Sequence, residues 1–271
     1  MGKPRPRARS SRLGSSRFGP SRLRLVRRRL ARPLLVRWFR GGGLSEAGLS
    51  LCLAAVAGAV NAGGFLLVGA YTSHMSGIVS AMADHLVLGA MPVVLAGLLA
   101  LLAFTAGAGV SAVLINRGRR RGRRNPYLVP LRLEAGLLLA GGGVGWLAAR
   151  EAGGVPPVAL ATPLLCFLMG LQNATITKIS GARMRTTHMT GVITDIGVEL
   201  GKLLYWNRAG LLEGRPFVRA DRARLRLLLA LLGSFFLGGV AGAAGFLALG
   251  FAFCLPLAAL LMLAAEAMRC P

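Results

Sequence analysis

The sequence predicts an all-α membrane protein with duplicated halves, on three observations. The chain is 54% hydrophobic and only 15% charged, whereas soluble domains carry roughly 25% charged residues. Apolar stretches long enough for a spanning helix, which needs about 20 residues, recur along it. The heptapeptide at 73–79 returns 114 residues later at 187–193, with the sequence His-Met-Ser/Thr-Gly at its centre.

Two further pairs of matching segments support the duplication. These pairs precede and follow the heptapeptides in the same order: 58–62 with 170–174, and 104–107 with 235–238. Repeats of this kind are the first feature to look for in a sequence. They predict one membrane domain over 44–271, made of two repeats at about 44–149 and 157–270.

The N-terminal 43 residues differ from the rest of the chain. They hold 14 of the 33 basic residues and no acid. This composition predicts a disordered cytoplasmic tail that lies against anionic lipid headgroups. A targeting segment and a misplaced start codon stay open as alternatives, whereas a secretory signal is not expected because no short apolar core and cleavage site follow.

Six stretches are predicted to be spanning helices: 46–69, 91–115, 131–149, 158–178, 226–248 and 250–268. The last two are separated by almost nothing, which predicts a tight helical hairpin. Two other segments, 73–90 and 187–205, are helical in pattern but too polar to be simple spans, and each begins with the repeated motif.

Arginine placement predicts the orientation. The loops at 116–125 and 206–226 and the link at 178–186 are basic and are therefore expected in the cytoplasm. If 73–90 crossed the membrane, the 116–125 loop would face outside. We therefore expect 73–90 and 187–205 to enter and return or to lie flat. The result is six spans, cytoplasmic termini and inverted halves, a layout common among transporters.

Polar residues of the two motif segments form the candidate site. On a helix, the second segment aligns one stripe of side chains: His188, Asp195, Glu199 and Lys202. In the first, the matching face holds His74, Gly77, Ala81 and His85, with Asp84 at its edge. Ionisable groups within membranes usually line a water-filled route or pair with each other. One interpretation is that the stripes face each other and form a polar path, with the histidines carrying protons.

A structural interpretation is also open. Ser73 and Thr187 are suitable helix caps, and Gly77 and Gly191 would allow close helix packing. For Glu199 and Lys202 a solvated surface face is favoured over a path.

Asn61 and Asn173 lie inside predicted spans, where a buried amide needs partners. They are expected either to bond the backbone at the start of the motif segments or to line the path, and Gln172 adds polar atoms to the second copy. The candidate path residues are Asn61, His74, Ser76, Gly77, Asp84, Gln172, Asn173, His188, Thr190, Gly191 and Asp195.

Other polar residues carry weaker signals. Glu134 is interpreted as a snorkelling or locally paired group next to Arg132, with a proton or ion relay as the alternative. The four cysteines are far apart and lack metal-ligand spacing, so we expect packing residues: Cys52, Cys166, Cys254 and Cys270. Nucleotide-loop and hydrolase motifs are missing from the sequence, so no enzyme, cofactor or metal is expected.

The net charge of +24 does not predict a nucleic-acid partner, because the arginines outside the tail separate apolar spans. The expected partners are the bilayer and anionic lipid headgroups, and the glycine-rich spans permit a homodimer. We expect a secondary transporter or channel for a small solute. The alternative is a non-transporting scaffold or regulatory protein that binds acidic lipid or a partner protein.

The motifs also resemble those of a known family. The segments that carry the resemblance are 73–77, 167–174, 186–191 and 195–202. They are similar to the YoaK family of bacterial polytopic membrane proteins, a domain of unknown function, over about 45–268. The resemblance implies a multi-pass location in the bacterial cytoplasmic (inner) membrane, and it supplies no substrate and no catalytic residues.

Overall fold

A computed structural model describes residues 46–148, 158–180, 188–205 and 218–267, and these are helical apart from short connections. The helices are α1 Glu46–Val68, α2 Met75–Val87, α3 Met91–Arg120, α4 Leu128–Ala148, α5 Val158–Ile179, α6 Met189–Leu204, α7 Arg222–Leu249 and α8 Cys254–Ala267. A 3₁₀ turn, Gly250–Phe253, joins α7 to α8. The predicted tail at 1–43 lies outside the described residues.

The eight predicted helical segments all correspond to helices, with shifted ends. α3 continues to Arg120, and the basic residues of its last turn suit the negative end of the helix dipole. α7 begins at Arg222, four residues earlier than predicted, because the Asp221 carboxylate accepts hydrogen bonds from the backbone N–H groups of Ala223 and Arg224, at 2.9 and 3.0 Å.

Four stretches of the described residues are long and apolar enough to cross a membrane: Glu46–Leu66, Met91–Arg120, Leu128–Leu147 and Arg222–Ala267. The last of these contains both α7 and α8. Length and composition therefore place the chain among integral membrane proteins. The count of six crossings stays a prediction.

Two long helix pairs, α1 with α7 and α3 with α5, pack through their backbones. A Cβ atom at Gly58 would overlap the carbonyl oxygen of Phe235. A Cβ atom at Gly170 would overlap the carbonyl oxygen of Phe104. Glycine permits this close approach because it lacks a side chain. Gly238 permits a similar approach, because a Cβ atom there would overlap the backbone of Ala55.

Within both long pairs the helices run parallel. Along α1 and α7, Ala55, Ala59 and Gly63 lie against Gly238, Gly242 and Phe246 in turn. Along α3 and α5, Phe104 lies against Gly170, and further towards the C-terminal end of both helices Ser111 lies against Thr175.

A third pair, α4 with α8, runs antiparallel. Arg132 near the start of α4 forms an ion pair with Glu266 near the end of α8, and a Cβ atom at Gly142 would press on Cys254 at the start of α8. The main hydrophobic core lies between this pair and the helices α1 and α5. The predicted hairpin is therefore only half right: α7 and α8 do meet at a tight turn, but α8 packs along α4 instead of α7.

One end of the bundle gathers several basic segments, and we call it the basic end. Arg119 donates a hydrogen bond to the Tyr127 hydroxyl (2.7 Å), which donates to the carbonyl oxygen of Lys178 (3.4 Å). Asn125 donates to the carbonyl oxygen of Ala265 (3.2 Å). The ends of α3, α5 and α8 and the start of α4 therefore lie together. The opposite end, which contains the turn at Gly250, is called the far end.

The two motif helices lie at opposite ends. α2 follows the end of α1 and precedes the start of α3, both at the far end, whereas α6 follows the end of α5 and precedes the start of α7, both at the basic end. α2 has 13 residues and α6 has 16. At about 1.5 Å per residue they reach about 20 and 24 Å, less than the roughly 30 Å of a bilayer core. Both helices are therefore shorter than the bilayer core, and their position in the membrane stays a prediction.

Candidate functional site

Each motif helix begins immediately after its histidine. His74 and His188 occupy the N-cap positions of α2 and α6, and neither side chain caps the helix. The expected capping role of Ser73 is therefore wrong, and Thr187 lies outside the described residues. Each ring lies over the glycine three positions later, where a Cβ atom on Gly77 or Gly191 would overlap it. The repeated glycine thus makes room for the histidine ring.

Asn61 anchors the start of the first motif segment. Its side-chain oxygen accepts hydrogen bonds from the backbone N–H of Ser73 at 3.2 Å and from the Ser73 hydroxyl at 3.1 Å. The first of the two roles expected for Asn61 is therefore confirmed. Asn173 accepts a bond from the Thr177 hydroxyl through its own backbone oxygen (2.7 Å), and its place in the path stays a prediction.

The second motif helix is fixed to α7. Its apolar face, with Val192 and Ile196, packs against Leu225 and Leu228. Beside this face, Arg224 donates to the Asp195 carboxylate at 2.8 Å, and both side chains are about half exposed. The Asp195 side chain therefore contacts α7 instead of α2.

Glu199 is buried, which contradicts the expectation of a solvated face. Its side chain is 2% exposed. One carboxylate oxygen accepts from the Lys202 ammonium at 2.9 Å, and the other accepts from the backbone N–H of Asp221 at 2.8 Å. The burial follows from the return of the chain at Asp221, which covers this face of α6.

These hydrogen bonds affect the acidity of the α6–α7 junction. The hydrogen bond from Lys202 is the main cause that lowers the pKa of Glu199, and the N–H of Asp221 adds to it. The pKa of Asp221 is lowered too, mainly by the backbone N–H of Arg224 and also by that of Ala223. A carboxyl group whose pKa is lower in the folded protein than in the unfolded chain stabilises the folded state at any pH above its unfolded-state pKa. This stabilisation is lost as the pH falls through the folded-state pKa.

The first prediction concerns this junction. We expect its stability to be constant from neutral pH down to the ordinary Glu value of 4.5 and to fall below that. Glu199→Gln should lower the melting temperature at pH 7 and flatten the fall in acid. Thermal unfolding in detergent across pH measures both effects. An unchanged melting temperature at pH 7 would show that the bonds of Glu199 do not hold α6 on α7.

The two motif stripes do not face each other, contrary to expectation. α2 packs on α3, and α6 packs on α7. The connections cause this separation, because α2 joins helix ends at the far end and α6 joins helix ends at the basic end. Within α2, Asp84 is exposed, and the His85 ring contacts the carbonyl oxygen of Ala81 in its own helix at 2.8 Å. The polar path itself stays a prediction.

Buried polar groups lie between the basic end and the far end of the bundle. Gln172 on α5 is fully buried, and its side-chain nitrogen donates to the carbonyl oxygen of Leu53 on α1 at 2.8 Å. Its side-chain oxygen has no partner among the described residues. One turn further along, the Thr175 hydroxyl meets the Ser111 hydroxyl of α3 at 2.8 Å, and both side chains are buried.

Glu134 on α4 is a second acid, after Glu199, whose burial the sequence analysis did not expect. It is fully buried, and neither carboxylate oxygen has a partner among the described residues. Its expected partner, Arg132, is instead paired with Glu266 at the surface. The helical spacing of the sequence indicates this burial, because Glu134 lies on the same face of α4 as Leu131, Ala135 and Leu138, which are all buried.

The cysteines and acids of the described part of the chain form no metal-binding group of three or more. Three of the cysteines are free thiols, and Cys254 packs beneath Gly142. Cys270 lies outside the described residues.

Long apolar helices that enclose buried polar side chains are typical of integral membrane proteins. The chain belongs to the family described as protein of unknown function (DUF1275), whose model matches residues 49–267. This confirms the resemblance to an uncharacterised family that the motifs indicated. No curated protein matches the chain, and no solved structure does.

Proposed function

We propose that the chain is a secondary transporter or channel for a small solute, built from inverted repeats with six crossings. The observation that carries this proposal is the placement of the matching helices α2 and α6 at opposite ends of one bundle. Inverted repeats place equivalent segments in this way, and transporters of this layout bind solute at the repeat interface near the middle of the bilayer.

Equivalent contacts support the repeat. The overlap of Gly58 with Phe235 matches that of Gly170 with Phe104, and the four residues come from the segments paired by sequence. Each overlap joins a helix of one predicted repeat to a helix of the other. Reciprocal contacts of this kind are expected between two halves that are related by a pseudo-two-fold axis.

The motif helices are held in equivalent ways as well. On α2, Ile78 and Met82 lie against Gly97 of α3. On α6, the residues 114 positions later, Val192 and Ile196, pack in the cluster that contains Leu228 of α7. The same face of each motif helix therefore packs on the long helix that follows it.

The interior polar groups support passage of a solute. Gln172, Ser111 and Thr175 are buried among membrane-spanning helices. Polar side chains in such positions are costly, and they commonly mark a pathway. They lie on α3 and α5, one of the pairs that joins the repeats, with His74 beyond one end of the bundle and His188 beyond the other.

The second prediction tests transport. Purified protein in proteoliposomes is expected to move one member of a broad solute panel, and His74→Ala and His188→Ala should each remove most of that flux. His85→Ala is the matched control, because the ring of this third histidine hydrogen-bonds to the backbone of its own helix. Background flux for the whole panel by folded protein would contradict the proposal.

A second candidate is a non-transporting scaffold or regulator, favoured by the cluster of arginines at the basic end. A surface cleft there is lined by Val113, Asn116, Arg117, Arg120 and Arg121. This charge suits acidic lipid headgroups on the cytoplasmic side. Copurification of a stoichiometric partner without any solute movement would favour this candidate. Location in the bacterial inner membrane is part of both proposals.

A further inference from the structure

Glu134 is a buried acid that the proposed path does not use. Its helix, α4, packs on α8 and α5, and its side chain points into the main core with no solvent exposure. Neither carboxylate oxygen has a partner within the described residues. Few buried polar atoms in proteins lack a partner, so each case requires an explanation.

Within the described residues, the charged groups on the helices around α4 do not form an ion pair with Glu134. On α8, Glu266 is paired with Arg132 at the surface. Lys178, at the end of α5, is exposed, as are most of the arginines that end α3. The cysteines on the packed helices are thiols: Cys52 on α1, Cys166 on α5 and Cys254 on α8. Cys52 packs against the hydrophobic core that contains Leu131 and Ala135, the neighbours of Glu134 on α4.

A second unpartnered side-chain atom lies in the contact between α5 and α1. Gln172 donates to the carbonyl oxygen of Leu53, the residue after Cys52, and its own side-chain oxygen is an unused acceptor. Among the described residues, the core thus contains an unpartnered carboxyl on α4 and an unpartnered amide oxygen on α5. An ionised carboxylate without a partner is very costly in such surroundings, whereas a carboxylic acid needs only one acceptor.

We propose that Glu134 is an intramembrane proton-binding residue that couples solute movement to protons. The carboxylate oxygen takes up one proton to form an O–H group and later releases the same proton, so no other bond changes. The coupling role rests on the proposed function, whereas the proton site itself does not.

The test uses the full-length protein in proteoliposomes with dicyclohexylcarbodiimide, which adds to protonated carboxyl groups in apolar surroundings and leaves an N-acylurea. Mass spectrometry should find this adduct on Glu134 at pH 7, and the adduct should decrease as the pH is raised. The surface residue Glu266 is the matched control and should stay unlabelled. Glu134→Asp should keep some labelling, and Glu134→Gln should lose it.

The outcomes are distinct. Absence of labelling on Glu134 in folded wild-type protein would overturn the proposal, as would labelling that Na⁺ blocks at constant pH, because the site would then hold a metal cation. Labelling together with proton-driven flux that Glu134→Gln abolishes would support the coupling role. Labelling without any flux would support the proton site and reject the transport function on which coupling depends.

Discussion

Gly170→Ala is expected to disrupt the packing of α5 on α3. The added methyl group would overlap the carbonyl oxygen of Phe104, which is backbone and cannot move aside as a side chain would. Overpacking usually costs about 1–3 kcal/mol and at times more, and a clash between two helix backbones belongs at the upper end, at about 3 kcal/mol. Thermal unfolding and the yield of folded protein in detergent measure this loss.

Gly109→Ala is the matched control for this variant. Gly109 lies on α3 as well, but a Cβ atom there would have no neighbour within 4 Å. Its replacement by alanine should therefore change stability by less than about 1 kcal/mol. Equal stability of the Gly170→Ala and Gly109→Ala proteins would contradict the packing described above.

Gly58→Ala should cause a loss of stability similar to that expected for Gly170→Ala. The methyl group there would overlap the carbonyl oxygen of Phe235, in the equivalent contact between α1 and α7. If the halves are repeats, the two variants should be destabilised to a similar degree. A large loss at one site alone would argue against equivalent halves.

Asn61→Ala is expected to release the first motif segment from α1. Asn61 holds both the backbone N–H and the hydroxyl of Ser73. Removal of its acceptor leaves partly buried donors without a partner, at a cost of about 1–3 kcal/mol. Hydrogen exchange at 69–78 should speed up markedly, while exchange in α4 should stay unchanged.

Ser73→Ala serves as the graded control for Asn61. This variant loses only the hydroxyl bond and keeps the backbone bond to Asn61. It should therefore cost less than Asn61→Ala, at about 0.5–1.5 kcal/mol. If exchange at 69–78 is the same in Asn61→Ala as in wild-type protein, the anchoring role is wrong.

Long apolar stretches made the helices predictable, because a helix satisfies its own backbone in an apolar environment. Gly58 and Gly170 lie in the repeated segments, but the sequence did not indicate that helix backbones meet at them. Pairing of the helices was not predictable. The turn at Gly250 suggested that α7 and α8 pack together, yet α8 pairs with α4, a partner set by contacts such as that of Arg132 with Glu266, 134 residues apart.

The candidate site was predictable only in part. The repeat located His74 and His188 at equivalent helix starts, and Asn61 was expected to bond the motif segment. The burial of Glu199 could not be predicted, because its hydrogen-bond partner, the backbone N–H of Asp221, lies 22 residues away in the sequence. Glu134 was misplaced because the neighbouring Arg132 suggested local pairing, although the apolar stripe of α4 indicated burial.

Cysteine labelling from each side of the membrane tests the inverted arrangement most directly. On a cysteine-free background, single cysteines at Tyr71 and Leu88, which are exposed and flank α2, should both react from the periplasmic side. Cysteines at Thr190 and Leu204, exposed residues of α6, should both react from the cytoplasmic side. If Tyr71 and Leu88 react from opposite sides, α2 crosses the membrane and the inverted architecture is wrong.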